Sequence, residues 1–288
     1  MPHSSRPRRC AFTITEIMVV VGVIALLMGL LLPALRSVRA SGRQTVELST
    51  ARQLMAAYAS YANSNRTHVM PGYAPSDFKA FDMHGTPISG GVQLTTARRR
   101  YPWRIAPYLN YDMRGLFANE HRETLERLEN ENYTQYLYAV AQSPSLGINA
   151  QWVGGDYSGT GYAGNSQALT LFGKFYITSM SEALHPDRLI VFASARGEAP
   201  LTETGVVQGY FKVESPRFSY LDPAPRWSDS FQTAEPPANF GYVSPRHLGT
   251  AVIGFMDGHA GTLTTQQLTD MRHWANRADS PDWVIPQP

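Results

Sequence analysis

From Phe12 to Leu32 the chain runs through 21 residues with a single charge, Glu16. As a helix rising about 1.5 Å per residue, such a run is about 31 Å long, matched to a hydrocarbon core of about 30 Å, so a transmembrane helix is expected. Arg6, Arg8 and Arg9 precede it without an acid, and Arg36 and Arg39 follow. The first group favours a cytoplasmic N-terminus and the second weakens that bias. A carboxylate at the head of an apolar run is costly unless a cation answers it, which marks Glu16 as a functional candidate.

Several leader types fit this arrangement to different degrees. An ordinary secretory signal has an apolar stretch of about 7–15 residues, with Val38-Arg39-Ala40 as its candidate cleavage site here. A lipoprotein signal requires a cysteine after the run, whereas Cys10 precedes it. A plain membrane anchor explains the length but not the acid. The segment Ala11-Phe12-Thr13-Ile14-Thr15-Glu16, followed by the apolar run, resembles the cleavage and methylation segment of type IV pilins and type II secretion pseudopilins. The resemblance implies cleavage by prepilin peptidase between Ala11 and Phe12 and N-methylation of Phe12. Ala11 stands where that family usually has Gly. Glu16 becomes the fifth mature residue, the family's acidic position, answered in filaments by the α-amino group of a neighbouring subunit.

At the other end, Ala251–Met256 and His259–Thr264 flank Asp257-Gly258. Asp-Gly between two apolar-rich runs predicts a β-hairpin with a type I′ turn, positive φ being required at both central residues. His247 lies ten residues before Asp257, and His247, Asp257 and Gly258 together resemble the His-x9-Asp-Gly element of prepilin-type proteins. His247, Asp257 and His259 also offer ligand types suited to a transition metal, although the turn alone explains Asp257. Asp156, in the glycine-rich stretch Gly154–Gly161, is a further cation candidate. That stretch lacks the lysine of a phosphate-binding loop. No catalytic residue and no cofactor are expected. The metal question stays open with Asp156, Asp257 and His259, calcium being the ion that some related pseudopilins hold.

The formal charge of +2 becomes −1 once Arg6, Arg8 and Arg9 leave with the leader, so composition does not suggest nucleic acid as a partner. The only cysteine, Cys10, leaves too, and the mature chain suits an oxidising compartment without using disulfides. Pro33 follows the apolar run and predicts a kink or weakened turn there. From Ala34 to Asn63 the sequence is helix-compatible, with Val46, Leu54, Ala57, Tyr58 and Tyr61 on its apolar side. Arg98–Arg104 is a basic-aromatic cluster whose expected partners are the acids of Glu120–Glu131. Asn119–Ala141 and Thr265–Ala278 read as amphipathic helices.

The expected domain plan is a prepilin leader at 1–11, a transmembrane and assembly helix at 12–33, an amphipathic extension at 34–63, and a globular domain at 64–288. The expected fold is α+β and pilin-like, a long N-terminal helix packed on a mainly antiparallel sheet with loop-rich insertions. The resemblance implies a non-enzymatic filament subunit of a type II secretion pseudopilus or type IV pilus-like fibre. Its implied partners are prepilin peptidase, other pilin or pseudopilin subunits and the membrane. Its expected location is the bacterial inner membrane, single-pass, with the C-terminal domain outside the cytoplasm. The alternative is a prepilin-anchored display protein whose domain binds a ligand such as carbohydrate, for which Trp103, Trp152, Trp227, Trp274 and Trp283 are the candidate contacts.

Overall fold

A computed structural model describes residues 14–117, 122–158, 161–199 and 205–287. Helix α1, Ile14–Ser64, is continuous over 51 residues, and the chain divides within it into two units, one ending at Gly42 and the other Arg43–Pro288. In the second unit, α1 contains neither glycine nor proline, and its buried residues Glu47, Ala51, Leu54, Tyr58 and Tyr61 recur at helical spacing. The helix ends where Arg66 and Thr67 take positive φ and the Thr67 amide turns back to the Ala62 carbonyl.

Then follow α2 (Gly91–Arg99), α3 (Tyr101–Ile105), α4 (Arg122–Glu131), α5 (Tyr133–Gln142), β1 (Leu146–Asn149) and α6 (Ser166–Phe172). The rest of the chain supplies β2 (Ile190–Ser194), β3 (Arg196–Glu198), β4 (Val206–Gln208), β5 (Lys212–Val213), β6 (Thr250–Phe255), β7 (Ala260–Thr264) and α7 (Thr265–Leu268). Five strands form one sheet in the order β5-β1-β2-β6-β7, while β3 and β4 make a separate pair. The central strands β1, β2 and β6 of the five-stranded sheet are buried on both faces. Leu54, Met55 and Tyr58 of α1 share one core with Phe192 and Val252, and Tyr58 meets the Phe192 ring edge-on at 5.7 Å. Ile190, Ala193, Ala251 and Ile253 point into a second core with Trp152, Phe218 and Trp274. Gly254 of β6 lets the helix approach, because a Cβ there would lie 2.8 Å from Met55 Cγ.

The architecture is α+β, but the sheet is mixed: β5 pairs with β1 in parallel and the other pairings in it are antiparallel. The expected transmembrane first half of α1 is overturned, since among the described residues no helix is long and apolar enough to cross a membrane. Glu16 stands in the first turn of this half of the helix, so a charge lies at the head of its apolar run. The single-pass inner-membrane placement loses its support with the expected span.

Other expectations are corrected locally. The stretch expected as one helix over Asn119–Ala141 is two, because the Asn132 side chain accepts the Gln135 amide and caps α5. The expected helix at Thr265–Ala278 stops after one turn and resumes as a 3-10 turn at Met271–His273. On α1 the expected apolar residues Leu54, Ala57, Tyr58 and Tyr61 are buried, but Val46 is exposed and Glu47 is buried in its place.

Candidate functional site

In the first unit, the described apolar side chains of α1 between Ile17 and Leu32 are exposed. Ile17, Met18, Val19, Val20 and Val21 are all exposed, as are Val23, Ile24, Leu26, Leu27, Met28, Leu31 and Leu32. Successive helical residues turn through about 100°, so five in a row cover every face. A helix apolar all round is one that is stable under cover. Glu16 is the acid of its first turn, where a negative charge also complements the helix dipole. Ala11 and Phe12 lie outside the described residues. Pro33 sits within the continuous helix, and its side chain is likewise outside them.

In the second unit, the polar centre is Glu47, 2 % exposed on the helix face that meets the sheet. Arg246 grips it in a two-point pairing, Nη2 donating to Oε1 at 2.7 Å and Nε to Oε2 at 3.0 Å. The same guanidinium donates to the carbonyls of Ala195 and Ser145 at 2.8 and 2.9 Å. His247 Nε2 lies 2.8 Å from Oε2. Ser194 Oγ donates to Oε1 and accepts the Val252 amide at 2.8 Å. Burial opposes ionisation of Glu47, but the charge of Arg246 and the hydrogen bonds from His247 and Ser194 outweigh it, holding its pKa below the ordinary value. A buried carboxylate is sustained only by such a full set of partners.

This constellation joins serine, histidine and a carboxylate, yet it is not wired as a nucleophilic triad. The carboxylate stands in the middle, with Ser194 and His247 on its two oxygens, so the imidazole is not placed to take the serine proton. Its chemistry is that of a clamp between helix and sheet.

His247, Asp257 and His259 do not converge. His247 bridges Thr250 at the open end of the β6–β7 hairpin, whereas Asp257 and His259 occupy the loop beyond Phe255. The length of β6 separates them, about 17 Å at the usual strand rise. Asp257 Oδ1 binds His259 Nδ1 at 2.6 Å and the His259 amide at 3.1 Å, with both side chains well exposed. Among the described residues no three His, Cys, Asp or Glu side chains are placed to share a metal. Asp156 instead holds the Ser158 amide at 2.8 Å and faces Lys212 Nζ at 3.8 Å, so an ammonium stands where a cation would.

The expected type I′ turn at Asp257-Gly258 is also corrected. Only Gly258 has positive φ, and its amide bonds the Phe255 carbonyl, giving a three-residue loop of a tight turn followed by a left-handed glycine. The type I′ geometry lies elsewhere, at Leu248-Gly249, with φ of 54° and 82° and reciprocal bonds between His247 and Thr250.

The Arg98–Arg104 cluster does not pair with the acids of α4. Arg100 and Arg104 are buried, Arg100 over the rings of Tyr138 and Phe211 and Arg104 over Phe78. Arg104 donates to the carbonyls of Arg100 and Gly72, and burial lowers its pKa to about 10 against the pull of neighbouring tyrosines. Trp103, Trp152, Trp227 and Trp274 are core residues, and Trp283 is half-buried with its ring 5.8 Å from that of Trp152, so the five form no contiguous exposed surface.

Sequence reasoning found His247 but missed its partner. The available signal was an acid at 47 on the stripe Ala51, Leu54, Tyr58, with Arg246-His247 the only adjacent Arg-His pair in the chain after the leader besides Arg272-His273. No protein-family model matches this chain, no curated protein matches it, and no solved structure matches it.

Proposed function

We propose that this chain is a structural subunit of a pilin-like or pseudopilin-like filament, with no enzymatic role. The observation that carries the proposal is the first unit of α1, whose described apolar side chains between Ile17 and Leu32 stand exposed on every face. Equivalent helices of neighbouring subunits cover these faces in the assembly. Burial of a leucine- or isoleucine-sized side chain contributes roughly 1.5–3 kcal/mol, so a run of this length drives association strongly. Glu16 sets the axial register by meeting the amino group that cleavage before Phe12 creates on the adjacent subunit.

The Glu47 clamp supports the same reading, because a helix that carries assembly load has to be fixed to its globular domain. Arg246 and His247 answer Glu47 at 2.7 and 2.8 Å and tie α1 to the segment entering β6. This gives His247 of the His-x9-Asp-Gly element a packing role rather than a catalytic one. The globular unit works outside the cytoplasm, consistent with a mature chain free of cysteine.

Mass spectrometry of the N-terminus after co-expression with a prepilin peptidase tests the proposal. An N-methylated phenylalanine at position 12 is the expected result. An uncut chain, or one beginning at Ser41, overturns it.

A further inference from the structure

The glycine-rich loop after Trp152 has no part in the clamp or in the assembly helix, yet it builds one wall of a cavity of about 200 Å³ in the second unit. Asp156 and Tyr162 come from this loop, Phe175 from the segment that follows α6, Lys212 and Glu214 from the edge strand β5 and its exit, and Arg226 from the proline-rich segment. The loop folds back tightly enough that a Cβ at Gly161 would lie 2.2 Å from the Asp156 carbonyl oxygen, which is why glycine stands there. Four charges line the space. Lys212 Nζ lies 2.7 Å from Glu214 and 3.8 Å from Asp156. Arg226, at the rim, lies over the Phe218 ring at 5.1 Å and reaches Asp222 at 3.7 Å. Tyr162 is stacked on Phe218, ring centres 4.8 Å apart, which fixes its plane at the wall.

We propose that this cavity binds a single uncharged sugar residue. Each lining cation stands beside a carboxylate, Lys212 at Glu214 and Asp156 and Arg226 at Asp222, so no lone charge faces the space to select an ion. The pairs do offer fixed donors next to fixed acceptors, and a hydroxyl is the group that both donates and accepts. A ring carrying several hydroxyls satisfies such a wall without leaving a buried charge unpaired. Tyr162 and Phe175 supply the apolar side that the carbon face of a pyranose requires. The volume lies below the roughly 300–1,000 Å³ of pockets for drug-sized ligands, which limits the occupant to about one ring. The site is independent of the assembly helix, and its occupancy does not require the chain to be polymerised.

Saturation-transfer NMR on the full-length chain in detergent tests the proposal. The probes are methyl glucoside, methyl galactoside, methyl mannoside and N-acetylglucosamine, with glucuronate and glucosamine as charged controls. The expected result is saturable binding of at least one neutral sugar, weaker binding of both controls, and a loss of about tenfold in affinity in Glu214→Gln and in Arg226→Met, each of which removes one hydrogen bond to a charged group. Both variants sit at the partly exposed side of the cavity and leave the Lys212–Asp156 contact in place. Absence of binding by every neutral sugar overturns the proposal, as does tighter binding of a charged control. Unchanged affinity in both variants overturns it as well, by placing any binding elsewhere.

Discussion

Glu47 and His247, 200 positions apart in the chain, meet at 2.8 Å in the interior with Arg246 closing the other side of the carboxylate. One helix residue thereby holds the two residues that lead into β6. Removal of one member of a buried, fully paired set leaves its partners charged and unsatisfied.

Glu47→Ala is accordingly expected to destabilise the globular unit by about 3–5 kcal/mol, measured as a shift in the urea midpoint. Arg246→Met costs a similar amount alone. Combining Glu47→Leu with Arg246→Met recovers a large part of the loss, because no orphaned charge remains. Additive losses in the double variant would show that the two residues act separately.

The same carboxylate sets an acid limit. Its folded-state pKa is lowered, while the unfolded chain titrates near the usual carboxylate value of about 4.3. The stabilisation is therefore fully present above about pH 4.3 and is lost as pH falls through the folded value. Between pH 7 and pH 3 the urea midpoint should fall more for the wild type than for Glu47→Gln. Asp270 and Glu182 are also held low, so the difference between the two proteins, rather than either curve, isolates Glu47.

Leu248 is a bulky residue with φ of 54°, and it is 77 % exposed. The left-handed backbone costs about 1–2 kcal/mol for a residue that carries a Cβ. Asn-Gly is the pair that a type I′ turn prefers. Leu248→Asn should raise stability by about 0.5–1 kcal/mol in denaturant unfolding, with the His247–Glu47 contact intact.

Gly254→Ala should cost about 1–3 kcal/mol, as extra volume in a filled core does. The new methyl meets Met55 at Cγ and Sδ. Adding Met55→Ala removes that collision, so the double variant should be more stable than the sum of the single effects predicts.

Ile24→Asp places a charge in the middle of the exposed apolar helix. Under the proposed filament role, assembly should be abolished, read as loss of sedimentable polymer, while the unfolding curve of the globular unit stays unchanged. Polymer formed at wild-type levels would count against helix-on-helix packing.

The part of this protein that is legible in its sequence is the part governed by neighbours along the chain. The apolar run that ends at Leu32, the helix-compatible stretch from Ala34 to Asn63 and the hairpin around Asp257-Gly258 all follow from local spacing. Even there, the turn type depended on strand register, which moved the type I′ geometry to Leu248-Gly249. Tertiary structure alone decided that Glu47 rather than Val46 faces the sheet, that Arg100 and Arg104 rest on aromatic rings instead of pairing with α4, and that His247 is remote from His259. The physical reason is common to all three. A buried charge is tolerated only where distant chain segments bring it donors, acceptors or ring faces, and such partners leave no periodic trace near the residue they satisfy.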